Sequence, residues 1–388
     1  MAPNTQLAEN THAENSVNLD TTTQTTQVAQ TPSDTHTPQR VFYPDFLRVI
    51  AAFAVICIHV SSTRFYQTPI NTFEWFILDL FHNSLAYWCI PIFVMVSGMF
   101  LLDYNRYSTD IRANFKQILK KNILKISIAL VVWSIIYRYF HAYIYDEPML
   151  FTYNFSFLFK HVYPHLWFLY LILGLYVLVP FLHILVRNLS KKDFEFLLVV
   201  FIVCSSGYDF VSFIFVATVE YPLYLRNYIP EFSGFVIFFL AGYYFSKFEI
   251  SDKSKKIFYL LAIISSFFTI LNAFCLYKFN IGLKINNANK VLHTVFIAFG
   301  LFLFVKSKFS KPNANSLFYK RISFLSSISF GIYLVHFIVL HLIVFRLGLD
   351  ALTLNPIIMV PILAMSVFVL SAILVFIISK IPILKKII

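Results

Sequence analysis

Asp45, Arg48 and His59 interrupt an apolar stretch early in the chain, Asp45-Phe-Leu-Arg48-Val-Ile-Ala-Ala-Phe-Ala-Val-Ile-Cys-Ile-His59. On an α-helix, eleven positions bring Arg48 and His59 back to one face, about 20° out of line and about 16 Å apart along the axis. An ionisable group inside a lipid-spanning segment is costly and marks a candidate site, and histidine is the usual general base near neutral pH. Taken singly, His59 has a plainer reading as a packing histidine bonded to a neighbouring helix, and Arg48 as an anchor that snorkels to the interface. Together on one face, with Asp45 one turn before Arg48, they read as a functional pair.

Further on, Ser329-Phe-Gly331-Ile-Tyr333-Leu-Val-His336 sets Ser329, Tyr333 and His336 at spacings of four and three, a polar stripe on one helix face. Such a stripe belongs against the bundle interior or a wet cavity; interhelical hydrogen bonding explains it equally well. In Pro164-His165-Leu-Trp167-Phe-Leu-Tyr170, an interfacial aromatic belt accounts for Trp167 and Tyr170. It does not account for His165, which reads as an acceptor-substrate contact. Ile90-Pro91…Ser97-Gly98 reads as a bend or a close helix approach. Arg112, Lys116 and Lys120 recur every four residues; they suit an anionic cofactor head, although the positive-inside rule alone explains them. The four cysteines lie within apolar runs, none in a C-x-x-C pair, and read as packing residues, not metal ligands or disulfides. Walker, GxGxxG, HExxH and paired zinc motifs are absent from the sequence, and no metal is expected.

The elements that must carry these residues are membrane helices. Of the 388 residues, 59% are hydrophobic and only 13% charged, against about a quarter charged in soluble domains. The apolar residues fall in blocks long enough to cross about 30 Å of hydrocarbon. About ten spans are expected, over 46–63, 85–102, 122–141, 166–186, 194–211, 232–248, 257–277, 291–307, 324–345 and 355–379. Residues 73–84, with Asp79, His82 and Asn83, read as an amphipathic lead-in to the second. Basic residues gather in alternate loops: Arg106 to Lys121, Arg187 to Lys192, Lys247 to Lys256 and Lys306 to Arg321. By the positive-inside rule these loops and both termini are cytoplasmic. Topology thus explains the net charge of +12 and excludes nucleic acid as a partner. The lipid bilayer takes its place. The expected fold is therefore an all-α, polytopic helix bundle over 41–388. Residues 1–40, polar and lacking an apolar block, read as a disordered tail and not as a secretory signal.

In order along 43–380, the chain resembles the acyltransferase-3 family of membrane acyltransferases. The resemblance rests on the Asp45-x-Leu-Arg48 opening, the Arg48-to-His59 spacing, Pro91…Ser97-Gly98, His165-Leu-Trp-Phe and Ser329-x-Gly-Ile-Tyr-x-x-His336. It is most similar to the short O-acetyltransferases, of the kind that modify enterobacterial common antigen. Lys385 and Lys386 follow soon after the last span, so the extra periplasmic domain of larger relatives is not expected. The resemblance implies an acyl-CoA donor, usually acetyl-CoA, and an acceptor hydroxyl on a surface glycan or its lipid-linked precursor, at a bacterial inner membrane. It also implies Arg48 and His59 as the functional pair. Many relatives carry arginine four residues before the proline, where this chain has Tyr87. On this reading the CoA head sits at the cytoplasmic mouth on Arg48, with Arg112, Lys116 and Lys120 nearby, and the thioester reaches toward His59. His59 is then general base or transient acyl carrier, and His165, Trp167, Tyr333 and His336 line the acceptor's route. A proton-coupled transporter or flippase would also use buried His and Arg, but the matched broken helices of such proteins are not evident.

Overall fold

A computed structural model of the chain describes residues 41–146, 163–204, 234–281, 292–310, 316–382 and 384. Among these residues the structure is helical and without strands. In order come α1 (Tyr43–Phe65), α2 (Phe73–Asp79), α3 (Cys89–Leu101), α4 (Ile111–Ile118), α5 (Leu124–Tyr145) and α6 (Trp167–Asn188). Then follow α7 (191–204), α8 (Val236–Lys247), α9 (Asp252–Phe279), α10 (Leu292–Phe309), α11 (Leu317–Leu347) and α12 (Pro356–Ser379).

Among the described residues, eight helical segments are long and apolar enough to cross a membrane. They correspond to eight of the ten expected spans. The sixth expected span is the shorter apolar helix α8. The fifth begins as α7, and its remainder lies outside the described residues, as does the polar tail. The chain is an all-α membrane bundle. Several helices outrun their apolar blocks: α11 has 31 residues, about 46 Å at 1.5 Å per residue, so it tilts within the bilayer or projects from it. Residues 73–84 form α2 and a π-helical turn, Leu80–Ser84, which run with α3 as one 29-residue apolar segment. A second π-turn, Leu119–Ile123, joins α4 to α5.

Local sequence sets the helix ends. Ser251, Ser316 and Asn355 each accept a hydrogen bond from a backbone N–H of the first turn of α9, α11 and α12, satisfying donors that the helix cannot. Pro44 and Pro356 occupy first turns, where the missing N–H does no harm. Gly348 ends α11 with φ +67°, a conformation a side chain resists. The loop that follows is drawn back to α1, because Arg64 Nε and Nη2 grip Asp350 Oδ2 at 2.6 and 2.5 Å.

The core lies along α1, α3 and α11. The α1, Phe73–Leu101 and α11 segments bury 56–61% of their apolar windows, whereas α9 buries only 17% and so presents most of its surface to lipid. The closest helix contact is α3 on α8. A Cβ built on Gly98 would stand 1.9 Å from the Phe239 carbonyl oxygen, and one on Gly242 would stand 1.9 Å from that of Met95. Small residues at such a crossing let two backbones meet, which in lipid substitutes for the missing hydrophobic drive. The obstacle on each side is backbone, which has no rotamer to yield, so Gly242→Ala must push the helices apart. The expected result is destabilisation at or above the top of the about 1–3 kcal/mol range of overpacked cores. Thermal unfolding of purified protein in one detergent measures it, and an unchanged midpoint would mean that the crossing is looser than it stands here.

Candidate active site

α1 and α11 lie side by side, and polar side chains meet at both ends of the seam between them. At one end of the seam the Asp45 carboxylate is buried on α1. It accepts hydrogen bonds from Ser326 Oγ at 2.7 Å and Ser323 Oγ at 3.2 Å, both on α11. Arg48 Nη1 stands 3.5 Å from the same carboxylate, with its side chain 31% exposed and its guanidinium 5.1 Å from the centre of the Phe100 ring. Three serines in a row serve the seam, since Ser329 Oγ in turn donates to the Ser326 carbonyl at 2.8 Å.

At the other end three imidazoles converge from three elements. His59 on α1 is half-buried, His336 on α11 is fully buried, and His165 is buried in a 3-10 turn, Pro164–Leu166, that opens α6. Ring centres are 5.2 Å apart for His59 and His336, 5.1 Å for His165 and His336, and 6.4 Å for His59 and His165. Phe337 closes one side, 4.6 Å from His59 and stacked on His165 at 4.9 Å. The Tyr333 hydroxyl donates to the His165 carbonyl oxygen and so pins the 3-10 turn to α11. Behind it, the Tyr137 hydroxyl donates to the Leu334 carbonyl at 2.6 Å, and the Tyr137 ring packs 4.8 Å from His165.

Hydrogen bonding assigns one tautomer. His336 Nδ1 lies 2.6 Å from the Tyr333 carbonyl oxygen, so it carries the proton and leaves Nε2 with a free lone pair in the neutral ring. That Nε2 and both ring nitrogens of His165 are buried without a partner among the described residues. An unpartnered buried polar atom costs about 1–3 kcal/mol. Three of them side by side in a well-packed core mark a place where a polar ligand or water is received.

The structure thus brings together His59, His165, Tyr333 and His336. Trp167 stands apart from them, half-buried and packed 5.9 Å from Phe235 and 6.4 Å from Phe168. Arg112, Lys116 and Lys120 are exposed, on the side of α4 and its π-turn opposite the buried Asn114 and Ile118. Tyr87 sets its ring 6.0 Å from that of His82. His82 in turn bonds the Ile58 carbonyl through Nδ1 at 3.2 Å, next to His59 in the chain. Sequence reasoning passed over Phe337 and Tyr137 because nothing in an apolar run distinguishes a site wall from ordinary core. It gave Asp45 no partners on α11 because Ser323 and Ser326 are 278 and 281 residues away. Among the described residues no group of three or more His, Cys, Asp and Glu is arranged to hold a metal ion.

The site is thus a multi-pass helix bundle with Arg48 and Asp45 at one end of the α1–α11 contact and three histidines at the other. A family model described as an acyltransferase domain matches residues 41–378, and the chain belongs to the acyltransferase-3 family of membrane acyltransferases. No curated protein and no solved structure matches the chain.

The Tyr333 hydroxyl offers a test of the histidine end. Tyr333→Phe keeps the ring and removes the bond that holds His165 in place. Acyl transfer is expected to fall about tenfold or more, the equivalent of at least one lost hydrogen bond in the barrier. Thermal stability should change by only about 1 kcal/mol. Transfer kinetics and unfolding of the same preparation separate the two; undiminished transfer would remove Tyr333 from the site.

Proposed function

We propose that this acyltransferase moves an acetyl group from cytoplasmic acetyl-CoA to a hydroxyl of a cell-surface polysaccharide or of its lipid-linked precursor, in the plasma (inner) membrane of a bacterium. The observation that carries the reading is the seam itself. A cation stands at one end and three converging imidazoles at the other, two of them with unpartnered nitrogens, about 16 Å apart along α1, on helices that the family match spans.

In this reading Arg48 meets a phosphate of the donor's head with its planar fork of donors. The exposed Arg112, Lys116 and Lys120 add a positive field that draws the anion in. The acyl-bearing arm lies along the seam, and the thioester carbon comes to His59. The acceptor hydroxyl enters from the opposite face, past His165 and His336, with Trp167 at the rim. His59 takes the hydroxyl proton as the oxygen attacks the thioester carbon. The C–O bond forms, the C–S bond breaks, and the thiolate leaves with the pair of electrons and is protonated. A two-step course, in which His59 first carries the acyl group, uses the same atoms and differs only in timing. His336 serves either course, since its ring packs 5.2 Å from that of His59 and its unpartnered Nε2 is free to receive a hydrogen bond from the acceptor.

The experiment is transfer of label from radiolabelled acetyl-CoA to envelope glycan, by membranes with matched amounts of wild type, His59→Ala and Arg48→Ala. Loss of a general base is expected to lower the rate by about 10²–10⁴, and Arg48→Ala is expected to raise the KM for acetyl-CoA. Transfer that survives His59→Ala would overturn the role of His59. A wild type that labels no glycan fraction would overturn the acceptor.

A further inference from the structure

The basic end of the bundle holds an arrangement that topology alone does not explain. Four cations from four separate segments are folded over two aromatic rings that stand four residues apart. Arg48 of α1 and Arg106 of the loop after α3 lie 5.1 and 5.8 Å from the centre of the Phe100 ring. Arg187 of α6 and Lys247 of α8 lie 5.3 and 5.7 Å from the centre of the Tyr104 ring. A positive-inside bias places cations on one side of a membrane, but it gives no reason for them to converge. Like charges repel, and this cluster stands although Arg187 and Lys247 pair with no carboxylate among the described residues; Arg106 has Asp103 at 2.9 Å.

Beside Arg187 a cleft of about 130 Å³ opens between α4 and α6, lined also by Ser108, Asn114 and His183. Asn114 and His183 are buried, and each has an orphaned atom, Asn114 Oδ1 and His183 Nδ1. Both are hydrogen-bond acceptors. Asn114 uses its amide N–H on the Ser108 carbonyl at 2.8 Å, and His183 Nε2 stands 2.7 Å from the Leu101 carbonyl, which leaves Nδ1 the lone pair. A ligand that satisfies this end of the protein therefore has two parts, a multiply charged anion for the cations and hydrogen-bond donors for the cleft.

We propose that Arg106, Arg187 and Lys247, together with Arg48, seat a diphosphate, and that the cleft of Asn114 and His183 receives the donor groups of the nucleoside attached to it. This deepens the acyl-CoA reading above and rests on it for the nucleotide. It makes the enzyme select a nucleotide-bearing acyl donor over the same acyl group on a bare pantetheine arm. A polyprenyl diphosphate, the head of a lipid-linked acceptor, offers the same charge but no donors for the cleft.

The test is direct binding to the purified full-length chain in nanodiscs, apart from any transfer reaction. Coenzyme A, inorganic pyrophosphate, pantetheine and a polyprenyl diphosphate are each titrated. The proteins are wild type, Arg187→Ala, Lys247→Ala, Asn114→Ala and, as a surface-charge control, Lys255→Ala, each checked for an unchanged unfolding midpoint. Coenzyme A is expected to bind wild type and the Lys255 control alike and pantetheine not measurably. Its Kd is expected to rise at least tenfold in the Arg187 and Lys247 variants and to climb with salt, with pyrophosphate competing. Asn114→Ala should weaken coenzyme A and leave pyrophosphate unchanged. Binding of polyprenyl diphosphate alone, with the same dependence on Arg187 and Lys247, would keep the diphosphate seat and overturn the nucleotide. Coenzyme A that binds every variant equally overturns the seat, while acyl transfer by wild type would leave the proposed reaction standing. Acyl transfer that fails while coenzyme A binding depends on these residues leaves the seat and removes the reaction.

Discussion

Everything else in the site depends on the way α11 lies against α1. A buried carboxylate is expensive unless its lone pairs are met, and Asp45 is met by Ser323 and Ser326 from the other helix. That requirement fixes the register of the pair at the basic end. From Asp45 to His59, and from Ser323 to His336, the two helices climb nearly equal distances, so the same register brings two imidazoles face to face in the membrane. A slip of one turn would strand the carboxylate as well as separate the histidines. Stability and site geometry are therefore tied to one contact, and the serines of α11 that look like hydrogen-bonding glue are what aligns the chemistry.

The remaining elements hold this pair in place from both ends. Arg64 at the end of α1 grips Asp350 just beyond α11, so the two helices are joined again past the histidines. The Asp350 side chain is mostly buried, and its second oxygen accepts the Leu352 N–H at 2.8 Å. The Arg64 side chain is 48% exposed, so the tie is worth little more than a surface ion pair, about 1 kcal/mol or less, and its part is to place the loop. Tyr333 and Tyr137 then bind the His165 turn and α5 to the same helix. The close crossing at Gly98 and Gly242 brings α8 beside α3, and with it Lys247 toward the ring of Tyr104.

Much of this was legible in the chain before any fold was known, and the exceptions have a physical pattern. Apolar blocks report lipid directly, so the spans and the all-α fold followed from length and composition. Helical periodicity is local, so the single face shared by Arg48 and His59 and the stripe of Ser329, Tyr333 and His336 were readable within one helix each. The spacing of Arg112, Lys116 and Lys120 was just as regular, yet it describes the exposed side of α4. Periodicity states which residues share a face and not what that face meets. The cations that converge, Arg106, Arg187 and Lys247, carry no common spacing because they belong to different segments. Long-range juxtaposition is the information a single sequence holds least openly. Ser97-Gly98 was readable as a bend or a close approach, and the structure makes it the close approach, but its partner Gly242 was not readable.

The division of charge along the seam follows from what lipid permits. Hydrated cations are tolerated where the bundle meets water and are costly at mid-membrane, whereas neutral imidazoles and hydroxyls are held in the interior by a few hydrogen bonds. An acyl thioester has the same asymmetry, with an anionic head, a long arm and a neutral reactive carbon. Within the acyl-CoA reading, a bundle basic at one end and neutral-polar at the other matches that substrate along its length without transporting its charge. The reactive carbon can meet the histidines while the phosphates remain among the arginines. The packed wall of Phe337, Tyr137 and Tyr163 around the imidazoles limits the water that would otherwise compete with the acceptor hydroxyl for the acyl group. On this reading the distance between Arg48 and His59 is a property of the substrate as much as of the helix.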